Sequence, residues 1–100
     1  MKFGFTENEL DYFQKELVSP LKDIDAKVWI FGSRARGDHQ KFSDVDILVE
    51  SHDEKINQLL SSIREKFEEG SFPYKIDLLL LEDLAKSYRD SVLKDRIELI

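Results

Sequence analysis

Apolar positions along the chain change their period several times, and each change marks an element. From Thr6 onward, Leu10, Phe13 and Leu17 recur at helical spacing. Thr6 and Glu9 stand at the separation of a capping box, and Pro20 is placed to stop the run, so a helix is predicted over about residues 6–18. Lys27 to Gly32, KVWIFG, is β-branched and aromatic on both faces, which suits a strand covered on both sides, with Trp29 in the core. Val45 to Glu50 reads as a second strand. Between Asp53 and Glu69, the residues Ile56, Leu59, Leu60, Ile63 and Phe67 form one helical stripe that Gly70 closes. Tyr74 to Leu81, YKIDLLLL, is a third, buried strand interrupted by Asp77. A last helix over about residues 83–94 and a short terminal strand in RIELI complete the order.

A helix between the second and third strands is the connection that a parallel pair requires, whereas the short link between the first and second suits antiparallel neighbours. The predicted sheet is therefore mixed. A chain of 100 residues buries one core, so a single domain is expected. Hydrophobic residues at 41% and charged residues at 36% describe an ordinary globular protein. The net charge of -6 makes the surface as a whole a poor grip for phosphate backbones, so no direct nucleic-acid binding is expected and any polyanion contact should be local. The lack of cysteine rules out disulfides and thiolate ligands. No apolar run approaches the roughly 20 residues that span a bilayer, and the N-terminus lacks a signal-peptide core, so no membrane partner and a cytoplasmic location are expected.

The distinctive chemistry lies between the first two strands. Asp44 and Asp46, two apart, point to the same side, and Asp77 stands near the start of a strand expected to run parallel to theirs. All three would then meet at one end of the sheet, beside Gly32. Two like charges about 4 Å apart repel by roughly 4 kcal/mol at an effective dielectric of 20, so such a cluster calls for a counter-charge. A hard divalent cation on oxygen ligands, Mg2+ in preference to Ca2+, would supply it. The competing account is of surface acids at strand ends, where Asp commonly forms turns. Asp77 speaks against that account, because a charge inside a buried strand needs pairing or metal. Gly32 and Ser33 form either a simple turn or, with Ser33 capping a short helix, an anion seat for a polyphosphate. Arg34 and Arg36 could steady phosphates or pair with neighbouring acids, and the structural or auxiliary role is favoured. His39 and His52 are expected as solvated residues, and Tyr12, Tyr74 and Tyr88 as packing groups.

Gly32-Ser33, ten intervening residues and Asp44-Val45-Asp46 resemble the GS-x10-DxD signature of the DNA polymerase β-like nucleotidyltransferases. GSRARG with SDVDILV is most similar to the minimal nucleotidyltransferase branch, and the likeness covers nearly the whole chain. The resemblance implies an α/β (α+β) nucleotidyltransferase fold, palm-like, with a small mixed sheet flanked by helices in one domain over residues 1–100. It implies that Gly32 and Ser33 hold a nucleoside triphosphate and that Asp44 and Asp46 bind two Mg2+ ions. Asp77 would be the third carboxylate, ligating the metal next to the incoming hydroxyl and helping to deprotonate it. The family often has a glycine where this chain has Asp95. Minimal members are commonly encoded beside a HEPN-domain protein and resemble antitoxins that move AMP from ATP onto a tyrosine of that ribonuclease. The implied protein is a Mg2+-dependent protein adenylyltransferase with ATP as substrate and a HEPN toxin as partner in a hetero-oligomer. Some relatives are catalytically silent, so a module that neutralises its partner by binding alone is the alternative. A sugar transferase built on the DxD motif would lack room for its acceptor.

Overall fold

Thr6 opens the first helix through the predicted box: its hydroxyl accepts from the Glu9 N–H at 3.2 Å, and the Glu9 carboxylate accepts from the Thr6 N–H at 2.9 Å. The computed structural model describes residues 2–100. Helix α1, Glu7–Phe13, does not end at Pro20 but continues through a π-helical turn, Gln14–Val18, into α2, Ser19–Lys22. Proline lacks an N–H and its ring conflicts with the carbonyl four residues back. The wider turn just ahead, in which the Ser19 N–H reaches the Gln14 carbonyl, removes that conflict and lets the helix carry Leu21 into the core.

Strand β1, Lys27–Phe31, is followed by a single turn of helix, α3, Ser33–Arg36, and by β2, Val45–Glu50. Helix α4, Ile56–Glu69, crosses to β3, Ile76–Leu80. A 3-10 turn, Leu81–Asp83, leads to α5, Lys86–Asp95, and to β4, Ile97–Glu98. The sheet order is β3-β2-β1-β4, with β2 and β3 parallel and the other pairs antiparallel, the mixed sheet that the connections imply.

Alternation along the strands divides the sheet into two unequal faces. One carries Val28, Ile30, Ile47, Val49, Leu78 and Leu80 and packs against Phe13, Leu17, Leu60, Ile63 and Phe67 from the helices. Each of these buried side chains contributes roughly 1.5–3 kcal/mol, so this face dominates stability. The other face carries Trp29 and Leu48, covered by Leu84 with Val92 and Leu93 of α5. That cover is thin, since α5 has no buried residue. Tyr88 accordingly lies 66% exposed on α5 and is not the packing group expected, whereas Tyr12 and Tyr74 both pack against Phe72. Asp46 and Asp77 share the thin face. Among the described residues, no helix is long and apolar enough to cross a membrane.

Candidate active site

Gly32 leaves β1 with φ 74° and ψ -157°, a conformation open essentially only to glycine. A Cβ at this position would run into the Asp46 carboxylate, so the backbone passes directly over that acid. Ser33 then begins α3, with Gly32 itself in the capping position. The expectation that Ser33 caps this turn is corrected, because its side chain already belongs to the helix and no side-chain cap is made. The Gly32 carbonyl accepts from the N–H groups of Ala35 and Arg36, both at 3.1 Å, which closes the turn beneath the strand end.

Register brings the acids together. Asp46 stands opposite Phe31 of β1 on one side and opposite Asp77 of β3 on the other, while Asp44 lies two positions ahead at the end of the preceding loop. Burial pushes the Asp46 carboxyl up to about 6, the negative charges of Asp77 and Asp44 push in the same direction, and Arg36 pulls against them. Asp46 therefore feels both other acids. Asp77 is not the buried charge that its apolar neighbours imply: β3 is an edge strand, and the Asp77 side chain is 45% exposed with the Lys75 ammonium 3.7 Å away. Strand alternation sets Lys75 and Asp77 on one side, a pairing legible in the sequence but missed there.

The donor set fits a hard divalent cation, with oxygen ligands only and a negative charge on Asp46 that its neighbours make unfavourable. The acids are not drawn into a closed ligand shell, since among the described residues no group of three His, Asp or Glu side chains is gathered as a metal site. A separate cavity of about 510 Å3 lies beyond the C-terminal ends of β2 and β3, against Trp29, Leu93 and Arg96, away from the three acids.

The two arginines of the motif divide their tasks. Arg36 bonds to Asp38 and to Asp95, each at 3.2 Å, which pairs it with neighbouring acids. Arg34 is 2% exposed and directs its donors to backbone carbonyls, which makes it structural, as favoured. His39 is not simply solvated: its Nδ1 is buried with no hydrogen-bond partner among the described residues, and its ring lies against Gly4, where a Cβ would collide with it. His52 is exposed, as expected.

The sequence profile described as "Nucleotidyltransferase domain" matches residues 10–99. A Haemophilus influenzae protein named "Probable protein adenylyltransferase MntA" is 31% identical over 70 residues, 70% of this chain and 61% of that protein. The chain thus spans less than two thirds of that relative. A solved structure described, provisionally, as a minimal nucleotidyltransferase superposes with a TM-score of 0.72 at 26% identity, covering 99% of this chain and 97% of its own. A toxin-antitoxin crystal structure with AMP-PNP superposes with a TM-score of 0.67 over 87% of this chain and 72% of that one, and at 21% identity bears on the fold alone.

Proposed function

The chain belongs to the nucleotidyltransferase-domain family, and from that premise we propose that it is a minimal protein adenylyltransferase, a single domain that moves AMP from ATP to a hydroxyl on a partner protein. The adenylyltransferase name of the Haemophilus influenzae relative supports the chemistry. The resemblance to minimal nucleotidyltransferases supports a HEPN toxin as the partner, a tyrosine as the acceptor and an antitoxin role in a hetero-oligomer. The observation that carries the reading is the position of Asp46 beneath the Gly32 turn, in register with Asp77 and within the field of Asp44.

In this reading Gly32 and Ser33 seat the triphosphate, where the glycine lets the backbone approach closely. The acceptor oxygen forms a bond to the α-phosphorus as the bond to pyrophosphate breaks, and the hydroxyl proton passes to Asp77. Asp44, Asp46 and Asp77 are the residues that would hold two Mg2+ ions, which would supply neutralisation of the charge developing on the attacking and leaving oxygens. The chain's own contribution is placement and the exclusion of a side chain at position 32. Incubation of chain and partner with labelled MgATP should give partner mass increments of AMP, and Asp44→Asn and Asp46→Asn should each abolish them with the fold intact. Undiminished transfer by both variants would remove the mechanism.

One observation favours a second reading, a silent module that neutralises its partner by covering it: the Lys75 ammonium stands 3.7 Å from the Asp77 carboxylate and meets its charge without a cation. Inhibition of the partner that is equally strong without ATP and with both aspartates replaced would select this reading.

A further inference from the structure

Arg34 is the one charged residue buried among the described residues, and the proposed transfer gives it no task. Its Nε and Nη2 donate to the Ser43 carbonyl at 3.0 and 2.9 Å, and its Nη1 donates to the Phe3 carbonyl at 2.8 Å. The guanidinium carbon Cζ lies over the Tyr74 ring, 4.0 Å from its centre, and over that of Phe5 at 5.3 Å. Two carbonyls and two ring faces thus meet the charge, where a carboxylate would be the usual partner of a buried guanidinium.

The places of these residues along the chain give the contacts their importance. Arg34 stands two residues after Gly32, Ser43 immediately precedes Asp44, and Tyr74 leads into the strand that carries Asp77. One side chain therefore joins the three segments that bear the turn and the acids. Ser43 is further held by its hydroxyl, which accepts from the Gln40 N–H at 2.7 Å, so two contacts tie the end of the loop where Arg34 grips it. An apolar side chain could fill the same space but would leave the Ser43 and Phe3 carbonyls unbonded. A lysine offers a point charge on a flexible stem and cannot make a forked contact while stacking on a ring.

We propose that Arg34 is a positioning residue: it clamps the loop between Gly37 and Asp44 so that Asp44 is held beside Asp46 under the Gly32 turn, without itself touching substrate. The inference rests on the proposed nucleotidyl transfer and refines it. Supporting groups behind metal ligands typically change metal affinity or activity by about 10–100-fold when replaced.

The test compares the full chain with Arg34→Lys by amide hydrogen exchange, by titration with Mn2+ alone, and by AMP transfer well below the melting temperature. In the variant, amides between residues 38 and 45 should exchange faster while those of α4 stay protected. Mn2+ binding should weaken about tenfold or more, and kcat should fall by more than KM for ATP rises. Unchanged loop exchange, or a loosened loop with wild-type Mn2+ affinity, overturns the proposal. If Arg34→Lys does not fold, Tyr74→Leu removes the stacking and keeps the three hydrogen bonds. It must then loosen the loop and weaken Mn2+ binding together, and loosening without weakening overturns the proposal. A wild-type chain that binds Mn2+ and transfers no AMP defeats the proposed function while exchange and Mn2+ affinity still judge Arg34. An active wild type whose kcat survives Arg34→Lys defeats the inference alone.

Discussion

Asp46→Asn should stabilise the metal-free fold while abolishing transfer, and one cause produces both effects. Burial first, then the charges of Asp77 and Asp44, raise the Asp46 carboxyl from 3.8 to about 6. A carboxyl with a raised folded pKa binds its proton more tightly in the native state than in the unfolded chain. Its contribution to stability is fully present below the unfolded value, declines as pH rises through about 6 and is absent above it. The shift corresponds to about 3 kcal/mol at full strength, and solvent screening of a half-buried group lowers this to roughly 1–2 kcal/mol. Asparagine carries no charge at any pH, so the variant should gain about 1–2 kcal/mol at about pH 8 and almost nothing near pH 4. For a domain of this size each kcal/mol moves Tm by roughly 4–8 °C. Urea unfolding of both proteins in EDTA at the two pH values measures the difference, and subtraction removes the titration of the acids remote from Asp46. Added Mg2+ should stabilise the wild type and leave the variant almost unmoved. A variant no more stable at high pH, or one equally stabilised at both, would refute the assignment of charge strain to Asp46.

Gly32→Ala combines a glycine-only backbone with a Cβ aimed at the Asp46 carboxylate, so urea unfolding should show a loss of at least about 1–3 kcal/mol from strain alone; a loss under half of that would mean that the turn relaxes freely. Arg36→Gln removes the cation that pulls Asp46 downward, so the carboxyl carbon of Asp46 followed by NMR should titrate above about 6. A midpoint that stays put or falls would show that Arg36 is spent entirely on Asp38 and Asp95.

What the sequence made legible was local or periodic. The Thr6–Glu9 box, the α4 stripe ending at Gly70 and the parallel pairing of β2 with β3 each follow from neighbours or spacing, and the structure bears them out. The juxtaposition of Gly32 with Asp46 was legible in the same way, because both sit where a strand meets the loop. The helix through Pro20 was not, since the π-helical turn that accommodates the proline is retained by the packing of Leu17, Val18 and Leu21 in the core. Arg34 was hidden for a related reason: pattern reading treats a charge as surface, and its acceptors are carbonyls of Phe3 and Ser43, which no side-chain motif encodes. The run YKIDLLLL reads as buried throughout, but β3 is an edge strand whose Leu78 and Leu80 face the core while Asp77, on the thinly covered face, is half exposed.

That last difference bears on how such a site can exist. A second carboxylate sealed in apolar surroundings opposite Asp46 would favour a shared proton over two charges, and a cation site would lose its ligands. The edge position of β3 and the thin cover given by α5 leave Asp77 half exposed, and Asp44 lies in solvent at the end of its loop, so water reaches both carboxylates. The opposite face of the same sheet, packed by α1, α2 and α4, supplies the stability that this arrangement forgoes. Exposure of Asp77 therefore removes its burial as an argument for a cation, and leaves it as a solvated carboxylate in register with Asp46 that is free to exchange its Lys75 partner for a ligand.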